Sequence, residues 1–508
     1  MSTTVFAGAR VWVDEVRFEE RTLWVSDGRV AALGGKSSAV DAGGRDDVRV
    51  IDCAGKYIIP SFVDAHFHLL ALAGKQLRCD LSGARNAGDV VARLAAWAAA
   101  HPGREPVVGV DFDESGWDDP ALPTRALLDA IATDRPVYAR RICGHVGVAN
   151  QALLSALTTR RFVDASSGRI AEDAVFEANR ASRPPRAAMV DAIDGAIAAL
   201  HALGITAIHD IVDPSTIDVY VEGLEASGRP LRLGALVHVP AADFDDARDR
   251  LEEASGVNAL GIKIFTDGSL GARTAALHAP YADAPGDGEL LVGRDELMEE
   301  LAACREADIA CAVHAIGDRA LATVLAAMEK TGVEDARFRI EHAEIMGDEE
   351  LAVCKRLRVP LVMQPNFVRN WAGEGGLYET RLGAERCRHG NRFASLLRAG
   401  VPFVFSSDGM PAGPLYGMRG ATHHPVAEER IGPAEALRRY TTAAHALGGD
   451  EDAYGIEIGS PGDLVVLSGN PLLADLDEIA VEATYVGGWE VHRSAAAAGP
   501  RSGLKRRR

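Results

Sequence analysis

The chain is poor in the features that would send it out of the cell, into a membrane or onto nucleic acid. Its seven cysteines are scattered over 508 residues with no CxxC pair. That rules against a disulfide framework and fits free thiols in a reducing compartment. No apolar run reaches about 18 residues, so no membrane-spanning helix is expected. Positive charge is in deficit, with 54 Lys and Arg against 73 Asp and Glu and a net charge of −19. Nucleic acid and anionic membranes require clustered positive charge, so neither is an expected partner. The one basic cluster, "GLKRRR", ends an Ala-rich tail over 494–508, which is expected to be solvated and disordered. The first stretch, "MSTTVFAGARVWVDEVRFEE", meets charges too early for a secretion signal. A cytoplasmic globular protein acting on a small molecule is the expectation, with a homodimer as the default for closed symmetry.

What is present is ample hydrophobic material, 47% of residues, arranged in two textures. Residues 1–57 and 441–493 carry short alternating runs broken by Gly and Asp, such as "TVFAGARVWV", "RTLWVSDGRVAALGG" and "GSPGDLVVLSGNP". They predict one small β-domain assembled from both ends of the chain. The middle, 58–440, alternates apolar strands with helical patterns, the signature of βαβ units and a parallel sheet. Eight strand candidates stand there: "IIPSFVDAHFH", "ITAIHDIV", "LRLGALVHV", "LGIKIFTD", "IACAVHAI", "RFRIEHAEI", "VPLVMQPNF" and "VPFVFSSD". Eight β/α units predict a TIM-type (β/α)8 barrel, whose sites lie at the C-terminal ends of the strands. The gap after the first strand, 71–204, is far longer than the others. It carries strand patterns of its own in "PVVGVDF" and "PVYARRI", and is expected to be an inserted lid or subdomain.

The strand ends are where polar residues collect. The first strand carries "DAHFH", and strict alternation places Asp64, His66 and His68 on one face. Lys263 ends the fourth strand, His314 the fifth, His342 the sixth and Asp408 follows the eighth. In a barrel these positions converge, and such a set of imidazoles with a carboxylate can surround a divalent cation, most naturally zinc. Lys263 is the odd member. A buried ammonium is expensive and its pKa falls, and a neutral amine can add CO₂ to become a carboxylate-like ligand. Taken alone, HxH is a weak signal, and ordinary half-buried histidines would explain it. The other strand ends remove most of the weight from that reading. Asp64 is either a brace for a ligand histidine or a simple strand-end carboxylate. His145 in the insertion either reaches over the pocket towards a substrate carbonyl or bonds within its own loop. Arg273 and Gln364 are further candidates for the pocket lining. His209 and His238 are read as core or supporting residues.

In order along the chain, "VIDCAGKYIIPSFVDAHFHL", "GVDFDESGWDDPALPTRALLDA", "CGHVGVAN", "GIKIFTDGSLGARTAAL", "VHAIGDRAL", "IEHAE", "VMQPNF" and "SSDGMP" resemble the metal-dependent amidohydrolase superfamily. The branch is amidohydrolase family 3, which includes N-substituted formamide deformylases. The likeness runs from about Val5 to His492. It implies a barrel with a β-sandwich built from both chain ends, and one or two divalent metal ions. It further implies that His66 and His68 hold one metal and His314 and His342 a second. A carboxylated Lys263 would bridge them, and Asp408 would bind the first metal and move the proton. Two departures lie away from those positions: Ser61 where the family usually has Gly, and Gly462–Asp463 where it usually has Ala–Asp.

The function so implied is hydrolysis of a C–N bond in a small N-acyl or N-substituted formamide compound, with Asp408 shuttling the proton from the attacking hydroxide to nitrogen. The same ligands would serve a lactone, a cyclic imide or the deamination of an amino-heterocycle, because specificity lies in loops. A metal-binding homologue without catalysis would have no use for the intact Asp408. A serine hydrolase is disfavoured because "DGSLG" is not GxSxG.

Overall fold

The computed structural model describes residues 3–35, 48–333, 337–447 and 455–495; the basic tail lies outside the described residues. Its centre is an eight-stranded, all-parallel sheet. The strands are Phe62–Phe67, Ile205–Val212, Arg232–Val237, Val257–Phe265, Ala310–Ala315, Phe338–His342, Leu361–Met363 and Phe403–Phe405. They pair in sequence order, each with the next. All eight expected segments are used, and the fold is an α/β barrel of TIM type. Alternation within each strand explains the layering. Ile262, Ile264, Cys311, Val313, Ile340 and Phe405 join the core shared with helix residues such as Leu301, Leu321 and Val324. Residues between them in sequence, including Lys263 and His314, are left to the barrel interior.

The interior is filled towards the strand starts by small side chains, Val63, Ala65, Ala207, Val362 and Val404, with Ala444 packed among them. Ala444 comes from the helix Thr442–Leu447, which therefore belongs to the barrel and not to the β-rich end expected from 441. The barrel closes where the Asp408 N–H donates to the His66 carbonyl at 3.0 Å. Ser61 at the entrance to the first strand is fully buried. Its N–H donates to the Asp463 carbonyl at 2.9 Å and its hydroxyl accepts from Thr206 at 2.6 Å, so the hydroxyl is satisfied where glycine is usual.

The chain ends meet in a single hydrogen-bonded sheet. Five N-terminal strands, Thr3–Val13, Arg17–Ser26, Arg29–Gly34, Val48–Asp52 and Tyr57–Pro60, join three from the C-terminal end, Leu464–Leu467, Val481–Val486 and Trp489–Arg493. The seam is antiparallel, with Pro60 opposite Leu464. The sheet packs around a core of Phe6, Val11, Leu23, Ile58, Val466 and Tyr485.

The insertion is more elaborate than its two anticipated strands. It holds a six-stranded sheet, Cys79–Asp80, Val107–Phe112, Val137–Arg141, Val146–Ala149, Val163–Asp164 and Arg169–Ala171. It is also shorter than the expected 71–204. The helix Arg186–Ala202 buries Ile193, Ile197 and Leu200 in the main barrel core and so counts as a barrel helix.

Gly261 tests the tightness of the parallel packing. A Cβ there would meet the Ala310 carbonyl oxygen at 2.0 Å on the adjacent strand. Gly261→Ala is therefore expected to destabilise the protein by about 1–3 kcal/mol, the usual cost of forcing a methyl into packed backbone. An unchanged urea midpoint would contradict the placement.

Candidate metal centre

Strict alternation does not survive in "DAHFH". The first strand's ladder with the second slips between Asp64 and Phe67, a β-bulge. The slip separates the roles of Asp64 and His66. Asp64 accepts the Ser407 N–H at 2.9 Å and also the Ser407 hydroxyl, fixing the residue before Asp408. Burial pushes the Asp64 carboxyl up to about 7 despite those donors. It braces the loop carrying Asp408 and not an imidazole. His66 donates its Nδ1–H to Glu341 Oε2 at 2.5 Å, which leaves Nε2 as the lone-pair nitrogen.

That nitrogen lies 3.6 Å from Asp408 Oδ1, and His68 Nε2 lies 3.0 Å from the same oxygen. One ligand atom from each of His66, His68 and Asp408 falls within 4.8 Å of the others, a span that one cation can bridge. His342 and His314 stand beside them. The His66 and His342 ring centres are 4.8 Å apart and those of His342 and His314 are 4.5 Å apart. Gln364 is fully buried behind His342, 2.8 Å from its Nδ1. Its amide is held by Ser406 at 2.9 Å and the Val362 carbonyl at 3.1 Å, so His342 keeps Nε2 free. Gln364 thus positions a histidine and does not line the pocket. His314 lies with Nε2 3.1 Å from the Gly268 carbonyl, leaving Nδ1.

Burial, then repulsion by neighbouring positive groups, holds His66 and His342 well below the usual imidazole range, so both stay neutral and able to ligate. Burial works against the charge on Asp408, yet the hydrogen bond from His68 and the charge of Lys263 favour it, and its carboxyl stays below the ordinary value. Lys263 is 1% exposed, and its Nζ has no hydrogen-bond partner. It sits 5.0 Å from the Phe265 ring centre, and burial pulls its pKa down to about 8. Converging imidazoles, of which His66 and His342 are held neutral, with an ionised carboxylate and an orphaned amine fit a divalent cation site.

Residues behind the site were not singled out from the sequence. Glu341 also receives Arg339 Nε at 2.6 Å, while Arg339 Nη1 lies 2.8 Å from His209 Nδ1. The signal was available: "RIE" places two charges at alternate positions of a buried strand, which only a paired network tolerates. His209 accordingly belongs to the support.

The insertion contributes His145. Its Nδ1 donates to Glu172 at 2.8 Å, and its ring centre is 5.8 Å from that of His314. Burial disfavours its charge, but the Glu172 carboxylate prevails and lifts its pKa to about 9. Arg273 behaves otherwise. Its guanidinium is committed to Asp283 at 2.7 Å with 37% of the side chain exposed, away from the cavity. The ion pair, reinforced by a second contact of Asp283 with Arg381, draws it outward.

Two adjoining chambers share walls with this set. The inner one, about 50 Å³, is bounded by the four barrel histidines and Asp408, with Arg141, Glu344 and an aromatic wall of Phe367, Trp371 and Tyr378. The outer one, about 500 Å³, lies under the insertion and includes Lys75, Arg140, Phe176, Ile211 and His238. His68, Cys143, His145, Phe265, Asp408 and Met410 border both.

The support to His66 can be tested by Glu341→Gln. Loss of the carboxylate is expected to weaken metal binding by about 10–100-fold, the usual range for partners that orient a ligand histidine. Competition against a chelator measures this, and an unchanged affinity would contradict the role.

The comparisons with known proteins agree with the geometry. The profile of the amidohydrolase family matches residues 49–492. A protein of Bacillus subtilis strain 168 named amidohydrolase YtcJ is 30% identical over 93% of this chain and 96% of its own. The N-substituted formamide deformylase of Arthrobacter pascens is 27% identical over 92% of this chain and 94% of its own. Among solved structures, an uncharacterized metal-dependent hydrolase from Pyrococcus furiosus aligns with a TM-score of 0.74 at 28% identity, covering 92% of this chain and all of that one. With its barrel, its histidine-lined mouth and this match over most of its length, the chain belongs to the amidohydrolase family.

Proposed function

We propose that the protein hydrolyses the C–N bond of a small-molecule amide in which a short acyl group, formyl or a little larger, is joined to a bulky amine. The observation that carries this is the asymmetry of the cavity. A chamber of about 50 Å³ and one of about 500 Å³ meet at Asp408, so a bond held there has room for a small group on one side and a large one on the other. The Arthrobacter deformylase supports the same substrate shape by its name.

His66, His68 and Asp408 would hold one divalent ion, most suitably zinc. His314 and His342 would hold a second, with Lys263 carboxylated between them. When bound, such an ion lowers the pKa of water towards neutrality and polarises a carbonyl. The chain's own groups supply the rest. Asp408, kept ionised with the help of the hydrogen bond from His68, accepts the proton of the attacking water and returns it to the departing nitrogen, which leaves as a neutral amine. His145, kept protonated by Glu172, offers an N–H from the insertion side to the carbonyl oxygen as charge develops there. Phe367, Trp371 and Tyr378 wall the inner chamber and limit the acyl group.

Asp408→Asn is expected to retain most of the bound metal and to lower kcat by about 10²–10⁴-fold, as for loss of a proton-transfer group. Formate or a short acid and the free amine should appear in equal amounts with the wild-type protein. Wild-type-like turnover by the variant, or ammonia as the product, would reject the reading. Elemental analysis should give about two divalent ions per chain if Lys263 bridges them, with one CO₂ equivalent of added mass on that lysine. A single ion with an unmodified Lys263 would restrict the site to His66, His68 and Asp408.

A further inference from the structure

The outer chamber carries two arginines that the proposed reaction does not use. Its acids other than Asp408 are spoken for. Asp111 is paired with Lys75 at 2.6 Å, Asp213 with Arg183 at 3.6 Å, and Asp173 lies 3.9 Å from Arg161. Arg140 and Arg180 line the same chamber, and neither forms an ion pair among the described residues. The Nε of Arg140 is buried without a hydrogen-bond partner.

Arg140 is held in place by the insertion's sheet, where it stands opposite Gly147. The same turn that follows it carries His145 to the metal centre, so the two residues are placed by one structural unit. Arg78 adds to the local positive field: burial, then the charge of Arg140, pulls its guanidinium down to about 9. Two arginines thus stand without an acid partner in one chamber of a chain whose net charge is −19. An arginine left without a partner in a ligand chamber is suited to an incoming carboxylate, to which it offers a planar fork of donors. The chamber's remaining walls, Leu72, Phe176, Ile211 and Phe265, are apolar and suit a hydrocarbon side chain.

We propose that Arg140, assisted by Arg180 at the chamber's exposed rim, binds a carboxylate on the amine portion of the substrate, so that the substrate class is the short N-acyl derivatives of apolar amino acids. This deepens the amide-hydrolase reading and rests on it for the orientation of the scissile bond.

The test compares N-formylphenylalanine with N-formylphenethylamine, which differ by the carboxylate alone. The metal-loaded wild-type protein is expected to prefer the former in kcat/KM by about tenfold or more, the scale of one charge-assisted hydrogen bond. Arg140→Gln is expected to remove most of that ratio and Arg140→Lys to retain part of it. A wild-type protein indifferent to the carboxylate, or a ratio unaltered in Arg140→Gln, would overturn the proposal. Calorimetric binding of the same two compounds to metal-loaded Asp408→Asn separates the two readings. If neither compound is cleaved by the wild type, the hydrolase reading fails. Tighter binding of the carboxylate compound, abolished by adding Arg140→Gln, would still establish the anion subsite, and equal binding of both would reject it.

Discussion

The site depends on one buried carboxylate that touches no substrate. Asp64 takes both donors of Ser407, and the Asp408 N–H then reaches back to the His66 carbonyl at 3.0 Å. These bonds join the last barrel strand to the first where the parallel ladder itself is thin. A carboxylate without water must be satisfied by fixed donors, so the geometry of the closure is narrowly specified. Asp408 is presented to His66 and His68 as a consequence. Barrel closure and assembly of the candidate metal site are thus the same event.

A second buried network runs beneath the candidate ligands, from His209 through Arg339 and Glu341 to His66. Burying such charges is worthwhile only when each is paired, and replacing one would strand the others. The network holds His66 in a single tautomer and orientation. On the neighbouring strand Gln364 does the same for His342 with a neutral amide, and the Gly268 carbonyl for His314. Each of these three histidines is therefore oriented by a different partner, which engages one ring nitrogen and leaves the other outside that bond.

Much of this was legible in the sequence because it rests on periodicity. Eight apolar runs gave eight strands, and polar residues at their ends gave the ligand candidates His66, His68, Lys263, His314, His342 and Asp408. Legibility failed where local geometry departs from period. The bulge in the first strand sends Asp64 to Ser407, which strict alternation could not reveal. Arg273 carries the charge expected of a pocket residue but is captured by Asp283, a pairing set by loop packing. The short strands of the insertion, two to four residues in several cases, are stabilised by pairing partners and have too few residues for a pattern of their own. His145 was visible as a histidine, but its dependence on Glu172 required the fold.

The antiparallel seam between Tyr57–Pro60 and Leu464–Leu467 has a bearing on how the chain is made. The N-terminal strands leave the ribosome first, yet the partner that covers the edge at Tyr57–Pro60 is encoded near the other end. The first barrel strand likewise waits for residues 403–408. During synthesis the nascent chain must carry two open strand edges through most of its length, the condition in which edge-to-edge association competes with folding. A chain arrested before Leu464 would keep its barrel strands and the histidines at their ends while exposing the apolar face of Phe6, Val11 and Ile58.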